Sequence, residues 1–360
     1  MSFGVYYHIP YCASKCRYCD FYSRGGARTV PPEYTAALLR ELAAFSGGVP
    51  LHADTVYFGG GTPSLLPPRD AARLIEAASP RPGAEITLEA NPDSVTEQTL
   101  RDYRAAGVNR ISFGVQSARD CQLRTLGRAH TAAQARAAFA AAQKAGFTNI
   151  SGDIMLALPH YSRAEFDETL ALIAGGGAAH ISAYLLKIEA ASAFGRHPPD
   201  GLPGSDEAAD FYLYAVDRLA AAGYAQYEIS NFARPGFEGR HNLIYWNCGD
   251  YLGLGPAAHS CVGGRRFYYP ADTAAFLRGE AAPVMDGGCG AEDFLMLQLR
   301  LTKGLSLTEY RRQWGRSFTP AQLAFIGQLK AHGYARFDGE TLALTPAGLL
   351  VQNSILAELL

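Results

Sequence analysis

Three cysteines near the start of the chain have the spacing C-x3-C-x2-C, which suits an iron–sulfur cluster. Thiolates of Cys12, Cys16 and Cys19 on one loop can hold three irons of a [4Fe–4S] cubane, whereas a structural cluster would use four cysteines. The fourth iron is then open to the amino and carboxylate groups of S-adenosylmethionine, whose sulfonium an electron from the cluster can cleave. Zinc is the alternative, because His8 lies four residues before Cys12 and would complete a Cys3His site.

Glycines and polar side chains follow several predicted strands further along the chain. A strand over residues 55–58 runs into GGGTP, and its glycines would let a ligand approach the backbone without meeting a Cβ atom. The polar residues at or near later strand ends are Glu89, Gln116, Arg128 and Asp153. Each of them alone is better explained by a helix cap, a loop contact or a surface ion pair. Because ligand groups gather at the carboxyl ends of parallel strands, their joint placement behind a three-cysteine loop favours one ligand site.

The first two thirds of the chain alternate between strand and helix patterns. Short β-branched or aromatic runs predict strands over residues 3–9, 55–58, 85–90, 110–115, 150–156 and 180–186, with another at 226–229. Ala- and Leu-rich stretches with helical spacing predict helices over residues 32–45, 69–78, 96–106, 132–145, 163–174 and 206–222. The repeated strand–helix unit predicts an α/β fold with a parallel sheet, open or closed into a barrel.

Two later changes of pattern divide the chain further. Residues 233–270 are rich in aromatic residues and glycine, and their apolar residues follow neither the helical nor the strand spacing. This predicts a long loop, and loops of that length are usually functional. Beyond residue 288 the sequence predicts helices over 291–302, 307–314 and 320–332 and a hairpin with an Asp-Gly turn, as in a winged-helix-like module. We therefore predict an α/β core over residues 1–232, an extension over 233–288 and a mainly helical domain over 289–360.

Composition excludes several classes of protein. Of the 360 residues 48% are hydrophobic, which is enough for a full core and too many for a disordered chain. With 32 basic and 34 acidic residues the net charge is −2, which gives no electrostatic case for a nucleic-acid partner. No apolar run approaches the roughly 20 residues of a membrane span. No signal peptide is visible, so a cytoplasmic location is expected, with Cys121, Cys248, Cys261 and Cys289 as buried structural thiols.

Blocks spread over nearly the whole chain resemble the coproporphyrinogen-dehydrogenase-like branch of the radical SAM superfamily. They are YYHIPYC from Tyr6, GGGTP from Gly59, ISFGVQS from Ile111, LGRAH from Leu126 and YEISNFA from Tyr227. The resemblance implies a partial (β/α)6 radical SAM barrel in which Cys12, Cys16 and Cys19 hold a [4Fe–4S] cluster. It further implies that the residues lining S-adenosylmethionine are Tyr6, Gly60, Gly61, Thr62, Glu89, Gln116, Arg128 and Asp153. One departure is Leu156-Ala157, where the branch usually has an aromatic residue followed by glycine.

The branch contains both an oxygen-independent coproporphyrinogen III oxidase and heme chaperones. The oxidase has a fourth cysteine two residues after the third, where this chain has Phe21, and the block RHNLIYW from Arg240 matches the H-N-x-x-Y-W block of the chaperones. The resemblance therefore implies a heme chaperone that passes heme to an acceptor protein, with His241 in contact with heme. The oxidase is the alternative, a zinc-stabilised binding protein is a third possibility, and His241 also suits a structural role. Whether S-adenosylmethionine is cleaved in turnover stays open, and any membrane contact would be peripheral.

Overall fold

The computed structural model describes residues 2–360 and shows two sheets, a large mainly parallel one and a small antiparallel one. The strands of the large sheet are, in chain order, β1 Phe3–Ile9, β2 Thr55–Gly60, β3 Glu85–Ala90, β4 Arg110–Gln116, β5 Asn149–Leu156, β6 His180–Leu185, β7 Ala225–Glu228, β8 Asn231–Ala233, β9 Asp250–Leu254, β10 His259–Val262, β11 Arg265–Tyr268 and β12 Val284–Gly288. The small sheet comprises β13 Leu305–Ser306, β14 Ala335–Phe337 and β15 Thr341–Leu344.

Helices cover the large sheet and form most of the C-terminal domain. They are α1 Pro32–Ser46, α2 Pro68–Ala78, α3 Glu97–Ala105, α4 Asp120–Leu126, α5 Ala132–Lys144, α6 Arg163–Gly175, α7 Ala193–Arg196, α8 Ser205–Ala221, α9 Arg240–Trp246, α10 Thr273–Arg278, α11 Ala291–Gln298, α12 Leu307–Trp314, α13 Pro320–Ala331, α14 Pro346–Leu350 and α15 Gln352–Leu359. Within residues 2–360, none of these helices has both the length and the apolar character that a membrane crossing requires.

Strands β1 to β6 form the predicted β/α core, and the predicted fold class is confirmed. They lie side by side in chain order and each neighbouring pair is parallel. Most of their residues are buried on both faces, as is typical of parallel strands that helices cover. Strand β9 continues the sheet beside β1 and β8 continues it beside β6, so the six strands form an open, partial barrel. Their carboxyl ends therefore all lie at one edge.

Local sequence signals fix where several of these helices begin. The Thr96 hydroxyl accepts a hydrogen bond from the Thr99 amide at 3.1 Å, and the Ser162 hydroxyl accepts one from the Glu165 amide at 3.3 Å. Both are reciprocal capping boxes, because the side chain at the third helical position returns a bond to the cap residue. Each cap contributes about 1 kcal/mol to helix stability, and the predicted starts of α3 and α6 are confirmed.

The loop predicted over residues 233–270 is wrong, because that segment contains helix α9 and strands β9 to β11. Strand β9 pairs in parallel with β1 and buries Leu252 and Leu254, while β10 and β11 form an antiparallel hairpin. The strands here have only four or five residues each, which is too short to establish a visible alternation of polar and apolar side chains. The proposed boundaries at residues 232 and 288 stay a prediction, although β9 to β12 belong to the same sheet as the core.

The C-terminal part of the chain has a hydrophobic core of its own. Helices α11 to α13 pack with α14, α15 and the small sheet around buried residues such as Phe294, Leu305 and Ile326. Helix α11 also meets α9, since the Gln298 side chain donates hydrogen bonds to the Trp246 carbonyl at 2.8 Å and to Asn247 Oδ1 at 3.0 Å. The winged-helix-like domain is thus joined to the core at the helix that carries the H-N-x-x-Y-W block.

Candidate functional site

A cavity of about 300 Å³ lies where strands β2 to β6 end, beside the cysteine loop (residues 12–24). We call it the cysteine-loop cavity. The predicted site residues that line it are Cys12, Cys16, Cys19, Gly60, Gly61, Thr62, Glu89, Gln116, Arg128 and Asp153. Residues from one loop and five strand ends thus converge, because the parallel order of the strands brings these ends together.

Tyr6 is the one residue predicted for this site that does not line the cavity. It lies in the middle of β1, three residues before the strand ends, so its side chain points into the barrel below the cavity. There its hydroxyl bonds to His8 Nδ1 at 3.0 Å and its ring stacks on Tyr57 with centroids 6.1 Å apart. Tyr6 thus packs beneath the site, and its contact with the cofactor stays a prediction.

The cysteine loop is fixed to the rest of the fold by backbone hydrogen bonds. The Cys12 amide donates to the Arg24 carbonyl at 2.9 Å, which closes the loop. The Arg17 amide donates to Leu126 at the end of α4, and the Arg17 carbonyl accepts from Phe194 in α7. The three thiols are thus held beside the strand ends by two short helices that the sequence did not predict.

The donors around the loop do not favour the zinc alternative. His8 is buried, and both of its ring nitrogens have protein partners, since Nδ1 bonds to Tyr6 and Nε2 lies 2.8 Å from the Tyr22 carbonyl. Among residues 2–360, no three His, Cys, Asp or Glu side chains are arranged to hold a single metal ion. A cubane cluster binds each thiolate to a different iron, so its ligands need not converge on one point.

Two glycines let strand β2 pass directly beneath the cysteine loop. Gly60 has φ of +110°, and a Cβ atom there would lie 2.6 Å from the His8 ring. A Cβ atom on Gly61 would lie 2.7 Å from the Tyr11 carbonyl oxygen and 3.0 Å from Cys12 Sγ. Side chains at these positions would push the loop away from the strand.

Two half-buried carboxyl groups form the acidic side of the cavity. Glu89 accepts a hydrogen bond from the Tyr57 hydroxyl at 2.7 Å, and Asp153 accepts one from Ser112 at 3.3 Å. Burial raises the pKa of Glu89 to about 7, and it also raises the pKa of Asp153. Partly desolvated carboxyls of this kind favour a ligand that carries positive charge, because a cation lowers the free energy of their ionised form.

Arg128 lies on the other side of the cavity and connects the strand ends to the cysteine loop. Its Nη2 donates to Asn91 Oδ1 at 2.6 Å and to the Gly114 carbonyl at 2.5 Å, and its Nη1 lies 3.5 Å from Cys16 Sγ. Asn91 in turn donates to Thr62 Oγ1 at 3.1 Å. Asn91 was not predicted as a site residue. It directly follows the end of β3, so the search for polar residues near strand ends that selected Glu89 could also have found it.

Gln116 presents an unsatisfied polar atom at the end of β4. Its backbone has φ of +66°, which is uncommon for a residue with a side chain. Within residues 2–360 its buried Oε1 atom has no hydrogen-bond partner, and the side chain lines the cavity. A buried acceptor of this kind is usually satisfied by a ligand or a water molecule.

His241 does not lie where it could ligate a heme iron in this conformation. It is 1% exposed inside the barrel, with Nδ1 2.7 Å from Thr55 Oγ1 and Nε2 2.6 Å from the Tyr245 hydroxyl. Burial lowers its pKa to about 3, so the ring is neutral. Because both nitrogens have protein partners, this arrangement favours the structural alternative for His241, and its contact with heme stays a prediction.

Comparison with known proteins assigns the family. The model of the radical SAM superfamily matches residues 6–173, and the model of the HemN C-terminal domain matches residues 291–351. The heme chaperone HemW of Mycobacterium tuberculosis (strain CDC 1551 / Oshkosh) is 35% identical, over 99% of this chain and 95% of that protein. The chain belongs to the HemW family. The heme chaperone HemW of Escherichia coli (strain K12) is 41% identical over 72% of this chain and 70% of its own length.

The fold of this HemW family member has a close counterpart among solved structures. Coproporphyrinogen III oxidase (HemN) from Escherichia coli, a radical SAM enzyme, superimposes with a TM-score of 0.84 over 99% of this chain and 90% of its own. At 22% identity this likeness concerns the fold alone. Membership of the radical SAM superfamily implies a [4Fe–4S] cluster and S-adenosylmethionine as cofactors.

Two local departures are visible in this HemW family member. Phe21, at the position of the oxidase's fourth cysteine, lines the cysteine-loop cavity with 70% of its surface exposed. Ala157, where glycine is usual, has φ of +58°. The backbone therefore keeps a left-handed conformation that glycine adopts freely and alanine adopts at a cost of about 1 kcal/mol.

Proposed function

We propose that this chain is a heme chaperone that carries a [4Fe–4S] cluster with S-adenosylmethionine, binds heme and passes it to an acceptor protein. The observation that carries the proposal is the similarity to HemW heme chaperones, which extends over nearly the full length of both chains. The cavity that gathers the three cysteines with polar residues from the strand ends supports the cluster and cofactor part of this proposal independently.

Within this proposal, Cys12, Cys16 and Cys19 ligate the cluster. The residues that line S-adenosylmethionine are Gly60, Gly61, Thr62, Glu89, Gln116, Arg128 and Asp153. Buried carboxyls suit the cationic sulfonium and ammonium groups, a guanidinium suits the carboxylate, and the unpaired Gln116 oxygen suits a donor of the cofactor. When bound, the cluster supplies the electron that can cleave the sulfonium. The protein residues orient the cofactor and exclude water.

The alternative function, oxidative decarboxylation of coproporphyrinogen III, is less well supported. The fourth cysteine of the oxidase is replaced by Phe21. Below Glu89 the barrel interior contains a space of only about 40 Å³, which polar side chains such as Tyr57, Arg110 and His241 surround. A space of that size holds a few water molecules and is too small for a tetrapyrrole. The likeness to HemN does not distinguish the two functions, because it concerns fold.

The cytoplasm is our proposed location for this activity. All seven cysteines are free thiols in the structure, as the cluster ligands need to be, and a reducing compartment keeps them so. Delivery of heme to a membrane-bound acceptor would then require peripheral contact.

The test is an anaerobic reconstitution followed by a heme titration. Iron and acid-labile sulfide near four of each per chain, S-adenosylmethionine binding and saturable heme binding near one per chain are expected. Cys16→Ala should lose the iron and sulfide, whereas Cys121→Ala, at an exposed site in α4, should retain both. Zinc without sulfide would contradict the cluster, and heme binding that never saturates would contradict the chaperone.

A further inference from the structure

A second cavity, of about 280 Å³, lies at the junction of the core with the C-terminal domain. We call it the thiol pocket. It lies between the end of α9, strands β9 to β11 and helix α11, and is lined by Tyr245, Trp246, Cys248, Gly249, Tyr251, Cys261, Arg266, Cys289, Asp293, Met296 and Leu297. No residue of the cysteine-loop cavity takes part in it.

Three cysteines that are far apart in the sequence meet in this pocket. Cys248 follows α9, Cys261 lies in the buried part of β10, and Cys289 follows β12. The side chains of all three cysteines line the same cavity. Its backbone is fixed, since the Cys289 amide donates to the Gly264 carbonyl at 3.0 Å. The expectation of buried structural thiols is wrong for Cys121, which is exposed, and for the other three cysteines it stays a prediction.

The other walls of the thiol pocket are flat and mostly apolar. The rings of Tyr245 and Tyr251 meet edge to face with centroids 4.4 Å apart, and the Trp246 ring adjoins them. Met296 adds a partly exposed thioether from α11. One cation lies among the lining residues, the Arg266 guanidinium, which is 3.3 Å from both Asp286 and Asp293. These ion pairs are partly exposed, so an incoming carboxylate can compete for the guanidinium.

This combination suits an iron porphyrin better than a bare metal ion. Among the described residues no set of three His, Cys, Asp or Glu side chains could hold an ion by itself. Heme iron already has four porphyrin nitrogens and needs only one or two protein ligands, for which cysteine thiolate is one established choice. Aromatic walls contact the ring faces, and a guanidinium pairs with a propionate.

We propose that the thiol pocket is where heme binds, with Cys289 as the iron ligand. This inference rests on the proposed function and adds its binding site. The Cys289 thiol releases its proton to solvent as the iron–sulfur bond forms, and the thiols of Cys248 and Cys261 donate hydrogen bonds to the bound sulfur. At about 280 Å³ the pocket lies just below the usual size range of ligand sites, so part of the porphyrin stays exposed. An exposed edge is what transfer to an acceptor requires.

His241 acts as a positioning residue for the thiol pocket, because it holds one of the side chains that line the pocket. Its Nε2 holds the Tyr245 hydroxyl at 2.6 Å, and Tyr245 forms one wall of the pocket. His241→Phe should therefore weaken heme binding by disturbing Tyr245, while leaving the axial ligand and the heme spectrum unchanged. An axial role for His241 predicts the opposite pattern, a changed spectrum.

The test is a titration of the anaerobic, reduced protein with hemin, followed by visible spectra of the ferric and ferrous–CO forms. Wild type should show the spectrum of thiolate-ligated heme. Cys289→Ser should lose that spectrum and weaken binding at least tenfold, whereas Cys121→Ser, the matched control, should behave as wild type. A reductant keeps the adjacent thiols from forming a disulfide that would block the ligand.

A second measurement uses only the wild-type protein, so it is independent of whether a variant folds. Bound hemin should protect Cys289 of the wild-type protein from alkylation, as read by mass spectrometry, and leave the exposed Cys121 reactive. Saturable heme binding with neither protection nor sensitivity to Cys289→Ser would overturn this site and leave the chaperone function standing. A wild-type chain that binds no heme would overturn both.

Discussion

The protonation of Glu89 should make the affinity for S-adenosylmethionine depend on pH. Burial raises the pKa of this carboxyl to about 7, and the cationic cofactor binds to its ionised form. Protons and cofactor then compete, and the apparent dissociation constant grows in proportion to one plus the ratio of proton concentration to acid constant. With a pKa of about 7 this gives a dissociation constant about tenfold larger at pH 6 than at pH 8.

Equilibrium dialysis of labelled cofactor against the cluster-loaded protein, from pH 8 to pH 6, measures this dependence directly. Glu89→Gln keeps the hydrogen-bonding shape but has no charge to titrate, so it should bind more weakly with a nearly flat pH profile. A wild-type dissociation constant that is the same at both ends of the range refutes the reasoning. So does a Glu89→Gln protein that keeps the wild-type slope.

The raised pKa of Glu89 should also make the ligand-free chain less stable as the pH rises. The folded pKa, about 7, lies above the unfolded value of 4.5, so the folded state binds more protons between these limits. Folding stability therefore falls as pH rises from about 4.5 to about 7, by about 3 kcal/mol. Glu89→Gln should remove this part of the slope, as read from denaturant unfolding at pH 5 and pH 8.

Three further substitutions test separate parts of the site. Ala157→Gly should raise the free energy of unfolding by about 1 kcal/mol, because φ of +58° strains alanine; an unchanged or lower denaturation midpoint would contradict this. Gly61→Ala should lose cluster iron while remaining folded, because its Cβ atom would meet Cys12 Sγ at 3.0 Å; full iron content would refute the packing reason. Arg128→Ala should weaken cofactor binding at least tenfold at constant pH; unchanged affinity in dialysis would remove Arg128 from the site.

The core and its site could be predicted from sequence because their signals are local. Parallel strands buried on both faces are continuous apolar runs, and capping boxes at Thr96 and Ser162 mark helix starts. Once the strand order is parallel, residues at strand ends must share one edge. That rule selected Glu89 and Asp153, which line the cavity, whereas Tyr6 was expected from the family resemblance alone and lies in mid-strand.

Contacts between distant segments could not be predicted in this way. The meeting of Cys248, Cys261 and Cys289 depends on how β9 to β12 extend the sheet and on where α11 packs. These cysteines are 13 and 28 residues apart in the sequence, and such spacings match no known cysteine motif. His241 shows the same limit, because its block identifies the family while its burial between Thr55 and Tyr245 follows only from the fold.

A continuous series of contacts joins the cysteine-loop cavity to the thiol pocket. Glu89 in the first cavity accepts a hydrogen bond from Tyr57, whose ring stacks on His241 with centroids 5.0 Å apart. His241 holds Tyr245, a wall of the second cavity. A ligand that changes the charge or position of Glu89 therefore acts on side chains that shape the pocket proposed for heme. If occupancy of one cavity alters affinity at the other, thermodynamic linkage requires that the effect be equal in both directions. If heme binds in the thiol pocket as we propose, the cofactor can govern how tightly the heme is held, which is a physical reason for a heme chaperone to bind S-adenosylmethionine.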